Sequence, residues 1–138
     1  FFLLDFKMKL VKGVKNLIEE AEREIEVVSC QKLVQIKNSK NICVIDIRDI
    51  RELWKDGRVK GSFHAPRGML EFWVDPESPY HKEIFSSGNK FILYCKSGWR
   101  SALATKTLQD MGFGPVAHLS GGFDQWKIEI GDIEKVKQ

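Results

Sequence analysis

Cysteine, proline and histidine are all scarce in this chain, at three, four and three residues in 138. Cys30, Cys43 and Cys95 make an odd set with no Cys-x-x-Cys spacing, and His64, His81 and His118 lie far apart. That pattern offers neither a disulfide framework nor a zinc site, so no metal is expected and a reducing compartment, the cytoplasm by default, is favoured. Charge of one sign is also in short supply. Lys and Arg number 22 against 19 Asp and Glu, a formal excess of three positive charges, and the two signs are interleaved. A mixed solvated surface is expected, with no nucleic-acid stripe and no membrane partner. The apolar opening from Phe1 to Leu4 is broken by Asp5 and is far too short to cross a bilayer or to read as a secretory leader. Residues 1–7 are therefore expected to be an extension preceding a chain start at Met8.

What is present is the composition of a globular domain, 43% hydrophobic and 30% charged. At this length one core can bury about two thirds of the surface that the unfolded chain exposes. Leu10, Val14, Leu17, Ile18, Ala21 and Ile25 recur at helical spacing, which predicts an amphipathic N-terminal helix over 8–25, packed on its own domain. The domain proper is expected over 26–131, with a polar tail at 132–138. Glu26 to Val28 predicts a short edge strand, and Ser29 is placed to cap a helix carrying Leu33, Val34 and Ile36. Ile42 to Ile47 is apolar without alternation, as a strand covered on both faces should be. Ile50, Leu53 and Trp54 predict a short helix ending at Asp56-Gly57. Ser62 to Ala65 predicts an extended piece stopped by Pro66, and Met69 to Trp73 a further helical turn. Phe91 to Tyr94 and Val116 to Leu119 predict two more strands, the first followed by a helix over 101–111 and the second, after Gly121-Gly122, by a last helix bearing Phe123, Trp126 and Ile130. Strands alternating with helices imply an α/β domain with a mostly parallel central sheet and helices on both faces.

The chemistry is expected at Cys95. It closes a buried strand and opens the loop Cys95-Lys96-Ser97-Gly98-Trp99-Arg100-Ser101, where open parallel sheets place their ligands. Amides of such a loop and of the following first helical turn lack intrahelical acceptors and form a donor cradle for an anion. That setting, with Lys96 and Arg100 alongside, favours a thiolate and makes Cys95 the candidate nucleophile. Gly98 supplies backbone freedom for a tight turn, and Lys96 would attract an anionic donor. Cys43, between apolar neighbours, reads as core packing. Asp46 and Arg48 after the second strand, and Arg67 near the entrance, form a second tier of candidates, the two arginines also fitting structural ion pairs. Trp54, Trp73 and Trp126 read as core residues and Trp99 as a wall of the pocket.

Val44-Ile45-Asp46-Ile47-Arg48, Gly57 to Ser62, the Cys95 to Arg100 loop and Ser120-Gly121-Gly122-Phe123 through Trp126 follow one another in the order seen in rhodanese domains. The chain resembles that family over roughly 26–130, and Pro66 to Phe72 resembles a small single-domain branch of it. The resemblance implies a rhodanese-like sheet of about five strands and a sulfur relay. A small anionic donor such as thiosulfate would load Cys95 with sulfane sulfur, and the persulfide would pass it to cyanide, a thiol or a protein acceptor, with no cofactor. Arg100 would brace the loop or touch substrate. The sequence departs from the family at Gly61-Ser62-Phe63-His64, where Gly-Ala and a hydrophobic residue are usual. Two other readings stand beside this one. Rhodanese-like domains also serve as docking modules. Phosphatases and arsenate reductases place Cys and Arg around a similar loop, but with five intervening residues where this chain has only Lys96 to Trp99.

Overall fold

The computed structural model describes residues 8–138, so the expectation for 1–7 falls outside the described residues. Helix α1 spans Val14–Glu24, β1 Glu26–Val28, α2 Cys30–Ile36, β2 Ile42–Asp46, α3 Ile50–Asp56, β3 Arg58–Val59 and β4 Phe63–His64. There follow α4 Leu70–Val74, β5 Lys90–Tyr94, α5 Trp99–Asp110, β6 Val116–Leu119, α6 Gly122–Glu129 and β7 Ile133–Glu134, with single 3-10 turns at Arg67–Met69 and Glu83–Ser86. Five strands form one sheet in the order β1-β6-β5-β2-β4, and every pairing is parallel. A separate antiparallel pair, β3 with β7, ties the C-terminal segment to the middle of the chain.

The predicted α/β architecture is the one observed, and β5 shows why. Its side chains alternate between two fully buried faces. Phe91 and Leu93 enter a cluster with Ile45, Ile47, Leu70, Val74, Ala104 and Leu108, which belong to β2, α4 and α5. Ile92 and Tyr94 enter a second cluster with Leu33, Val44, Ala117, Phe123 and Trp126, reaching α2 and α6. A strand with no exposed face has no use for polar alternation, so the apolar runs over 42–47 and 91–94 were the clearest strand signals in the sequence.

Two expectations about apolar residues need correction. Helix α1 starts at Val14, not upstream, and only Ile18 and Ala21 on it, with Ile25 just beyond, are buried against Ala102 and Leu103 of α5. Leu10 precedes the helix and is 70% exposed, while Val14 and Leu17 lie on its open side. The spacing was helical, but the helix rests on a single neighbour and buries a narrower stripe than the periodicity allows. Trp54 is not core either. It lies on the outer side of α3, where Leu53 takes the inward position.

A polar network sits under the carboxyl end of β2. Asp46 and Arg48 are both essentially without solvent exposure and form a bidentate pair, Arg48 Nη2 to Asp46 Oδ2 2.7 Å and Nε to Oδ1 3.0 Å. Arg48 also donates to the Gly57 carbonyl at 2.7 Å and stacks 4.2 Å from the Phe123 ring centre. The Tyr94 hydroxyl donates to Asp46 Oδ2 at 2.6 Å and accepts from the Val59 amide at 3.0 Å. Burial first, then the Asp46 charge, pushes the Tyr94 phenol well above its usual range, so it stays a donor.

Candidate active site

The parallel sheet brings the carboxyl ends of β2, β4 and β5 to one edge, and Cys95 follows β5 there. It is 1% exposed and packs on the α5 side of the sheet. The chain turns directly from strand into helix. Gly98 is the N-cap of α5 at φ 115°, ψ −9°, a left-handed conformation in which a side chain would be strained. The turn aims the Gly98 amide at the sulfur, 3.2 Å from Cys95 Sγ. Ser101, one turn into α5, places its hydroxyl 3.6 Å from the same sulfur. Trp99 and Arg100 occupy the first turn of α5, where helix amides are free of intrahelical acceptors and the dipole favours negative charge.

The loop's carbonyls are turned the other way. The oxygens of Cys95 and Lys96 accept the amides of Phe123 and Asp124, at 2.8 and 3.0 Å, in the first turn of α6. Gly121 and Gly122 make that approach feasible, since both take positive φ and Gly122 lies against these two carbonyls. The Gly98 amide and the Ser101 hydroxyl turned toward sulfur on one side, and carbonyls anchored on the other, make a compact polar cradle.

The flanking cations behave differently from the expectation. Lys96 does not face an incoming anion alone. Its ammonium is paired with Asp124 of α6 at 3.0 Å on the exposed side of the loop. Arg100 is held by a two-pronged pair with Glu52 of α3, 2.8 and 3.1 Å, and that bond, with a smaller contribution from Cys95, holds its guanidinium protonated. Glu52 also accepts the Asp49 amide that caps α3, so one carboxylate joins the start of α3 to the start of α5. Trp99 is 51% exposed and borders a shallow hollow of about 200 Å³ shared with Lys15, Ile18, Glu19 and Glu22, so it walls the gap to α1. Ser97 is exposed on the loop. Arg67 pairs with Glu71 at 2.8 Å at the half-exposed rim, and Asp46 and Arg48 are spent on each other behind the loop.

The pair of Glu52 and Arg100 has a pH signature. Arg100 holds the Glu52 carboxyl below the usual carboxylate range. A lowered folded value means that the contribution is complete above the ordinary glutamate range and is lost as pH falls through the lowered value. Because Arg100 is partly exposed, Glu52→Gln is expected to cost only about 0.5 kcal/mol at pH 7. The difference from the parent should vanish near the acid end of the transition; urea midpoints measured against pH check both.

The other thiols contrast with Cys95 in setting. Cys30 is buried, with its pKa pushed up to about 11 by burial first and Glu129 second, and burial raises Cys43 as well. Both are held as thiols. One residue at the site escaped the sequence reading. His118 on β6 is 2% exposed with Nδ1 2.9 Å from Ser101 Oγ. Its position inside an apolar run was the available signal. The larger cavities lie elsewhere, one of about 470 Å³ bordered by Val74, Pro76, Phe85, Met111 and Phe113.

The family model described as the rhodanese-like domain matches residues 29–129. A Mus musculus protein, thiosulfate sulfurtransferase/rhodanese-like domain-containing protein 3, is 29% identical over 104 residues, 72% of this chain and 66% of its own length. The thiosulfate sulfurtransferase GlpE of Shewanella oneidensis is 28% identical over 102 residues, 72% of this chain and 89% of that protein. A Rhodopseudomonas palustris structure, described as a protein of unknown function and possible tyrosine phosphatase, superposes with a TM-score of 0.89. It shares 46% identity and covers 94% of this chain and 99% of its own.

Proposed function

The chain belongs to the rhodanese-like domain family, and from that premise we propose that it is a sulfurtransferase carrying sulfane sulfur as a persulfide on Cys95. The observation that carries the reading is the cradle itself: a buried cysteine at a strand end with the Gly98 amide 3.2 Å from its sulfur at the start of α5. In the proposed cycle the Cys95 thiolate attacks the outer sulfur of thiosulfate. A sulfur–sulfur bond forms to Cys95, the donor's sulfur–sulfur bond breaks, and sulfite leaves with the electron pair. Cyanide or a thiolate then attacks the terminal sulfur of the persulfide and departs as thiocyanate or a new persulfide, returning the Cys95 thiolate. This is nucleophilic catalysis in which fixed amides hold sulfur-centred negative charge through both steps. It needs the thiol free, which suits a reducing compartment such as the cytoplasm.

The phosphatase reading has less support. A tetrahedral oxyanion needs its arginine in the cradle, whereas Arg100 is engaged on Glu52 and the loop is one residue short of that design. Intact mass spectrometry after incubation with thiosulfate separates the readings. Gain of one sulfur atom that requires Cys95, is absent in Cys95→Ser and is released by cyanide as thiocyanate is the expected result. No gain from thiosulfate or from glutathione persulfide, with Cys95 alkylated no faster than Cys43, would instead favour a docking module. Turnover of p-nitrophenyl phosphate would favour the phosphatase.

A further inference from the structure

The sulfur cycle leaves one buried ionisable group unused. His118 places Nδ1 2.9 Å from Ser101 Oγ, while its Nε2 is buried with no hydrogen-bond partner among the described residues. Ser101 Oγ is a junction, 3.6 Å from Cys95 Sγ, 3.3 Å from the Gly98 carbonyl and 2.9 Å from the imidazole. A hydroxyl has one proton to give and two lone pairs, so the histidine tautomer decides which neighbour receives that proton.

An orphaned buried N–H is rarer and costlier than an orphaned acceptor, which puts the ring proton on Nδ1 and leaves Nε2 as the bare nitrogen. Nδ1–H then donates to Ser101 Oγ and occupies one of its lone pairs. The hydroxyl proton cannot return to His118, and its remaining acceptors are the Gly98 carbonyl and Sγ. A charged sulfur is the stronger of the two. We propose that His118 is a positioning residue for Cys95: through its Nδ1–H it commits the Ser101 hydroxyl to donate to the sulfur whenever thiolate or persulfide carries negative charge. The proposal rests on reading Cys95 as the sulfur-bearing nucleophile. It adds to the Gly98 amide a second donor whose direction is set from β6.

The surroundings keep this device constant with pH. The sheet neighbours of His118 in register are Val27 of β1 and Leu93 of β5. Burial alone pushes its pKa down to about 4, so the ring stays neutral through the neutral range. The charged side chains around Cys95 are each engaged: Arg100 of α5 with Glu52 of α3, Lys96 with Asp124 of α6, and Arg48 with Asp46 on and after β2.

Alkylation of Cys95 by iodoacetamide across pH, followed on the digested peptide in the full chain, tests this without any sulfur donor. His118→Leu removes the Nδ1–H that orients the Ser101 hydroxyl, leaving its proton free to rest on the Gly98 carbonyl, and should slow alkylation at pH 7 by up to about tenfold, moving the profile to higher pH, as weakening one hydrogen bond to a charged atom would. His118→Asn, whose amide nitrogen can stand where Nδ1 stands, should restore the rate to within about twofold. Ser101→Ala, which removes the hydroxyl itself, should be at least as slow as His118→Leu, and the double variant no slower than Ser101→Ala. Should His118→Leu fail to fold by thermal melting, His118→Phe, closer in shape, takes its place. An unchanged or faster rate in the donor-less variant overturns the proposal, a faster one because it would mean that Ser101 donates to the ring instead. Additive effects in the double variant overturn it too. Parent Cys95 reacting no faster than Cys43 is a different result, and would count against the sulfurtransferase reading itself.

Discussion

Replacing Gly122 with alanine should cost about 3–5 kcal/mol and disable the loop that carries Cys95. Two effects add. Gly122 sits at φ 60°, where a side chain costs about 1–2 kcal/mol. A Cβ there would lie 2.5 Å from the Lys96 carbonyl oxygen and 2.7 Å from that of Cys95, both backbone atoms. Neither can swing away, because those carbonyls accept the Phe123 and Asp124 amides. Relief must come from separating α6 from the loop, which takes the Gly98 amide off the sulfur. Gly61→Ala is the control, since φ is 83° but nothing lies within 4 Å of the new methyl group. It should cost only about 1 kcal/mol. Urea midpoints for the two variants, with thiosulfate loading of Cys95 measured alongside, decide the matter. Equal losses would show that crowding against the loop carbonyls contributes nothing.

The second large effect is expected at Asp46. Asp46→Asn keeps the shape but strips the charge from the only carboxylate bonded to Arg48 among the described residues, leaving a guanidinium 1% exposed and uncompensated. Breaking such a pair from one side costs about 3–5 kcal/mol, whereas replacing both members with uncharged residues costs far less. Asp46→Asn with Arg48→Met should therefore be more stable than Asp46→Asn alone, the signature of coupling in a double-mutant cycle. A double variant as unstable as the sum of the singles would mean that the two residues act separately. The same network carries Tyr94, so loss of the Asp46 charge also weakens the acceptor of a buried phenol.

These residues mark how far the sequence could be read. Asp46, Arg48 and Tyr94 were visible as candidates or as strand positions. That Tyr94 reaches across to Asp46, 48 residues earlier, is a matter of β2 and β5 pairing in parallel register, Asp46 opposite Tyr94. Lys96 next to Cys95 suggested an anion lure on local grounds, because sequence neighbours share charge. It is spent on Asp124 only because α6 packs its first turn under the loop. Trp54 and Leu10 had the hydrophobicity of core residues, but burial depends on which face has a neighbour: Leu10 stays 70% exposed, and Trp54 only borders a hollow shared with Ile133 and Val136.

Local chemistry was enough to order the helices from α1 to α6, to pick β2, β5 and β6 as strands, and to single out Cys95 with Gly98 at a strand-to-helix turn. Each of those follows from periodicity, from backbone freedom or from what lies within a few residues along the chain. The sheet order, the Glu52–Arg100 tie, the seat of Gly122 on the Cys95 and Lys96 carbonyls and the line from His118 through Ser101 to sulfur belong to the folded molecule alone. Each joins positions 17 or more residues apart or on different elements. The pairing is selected by which surfaces bury together, a property of the packed whole that no window of sequence contains.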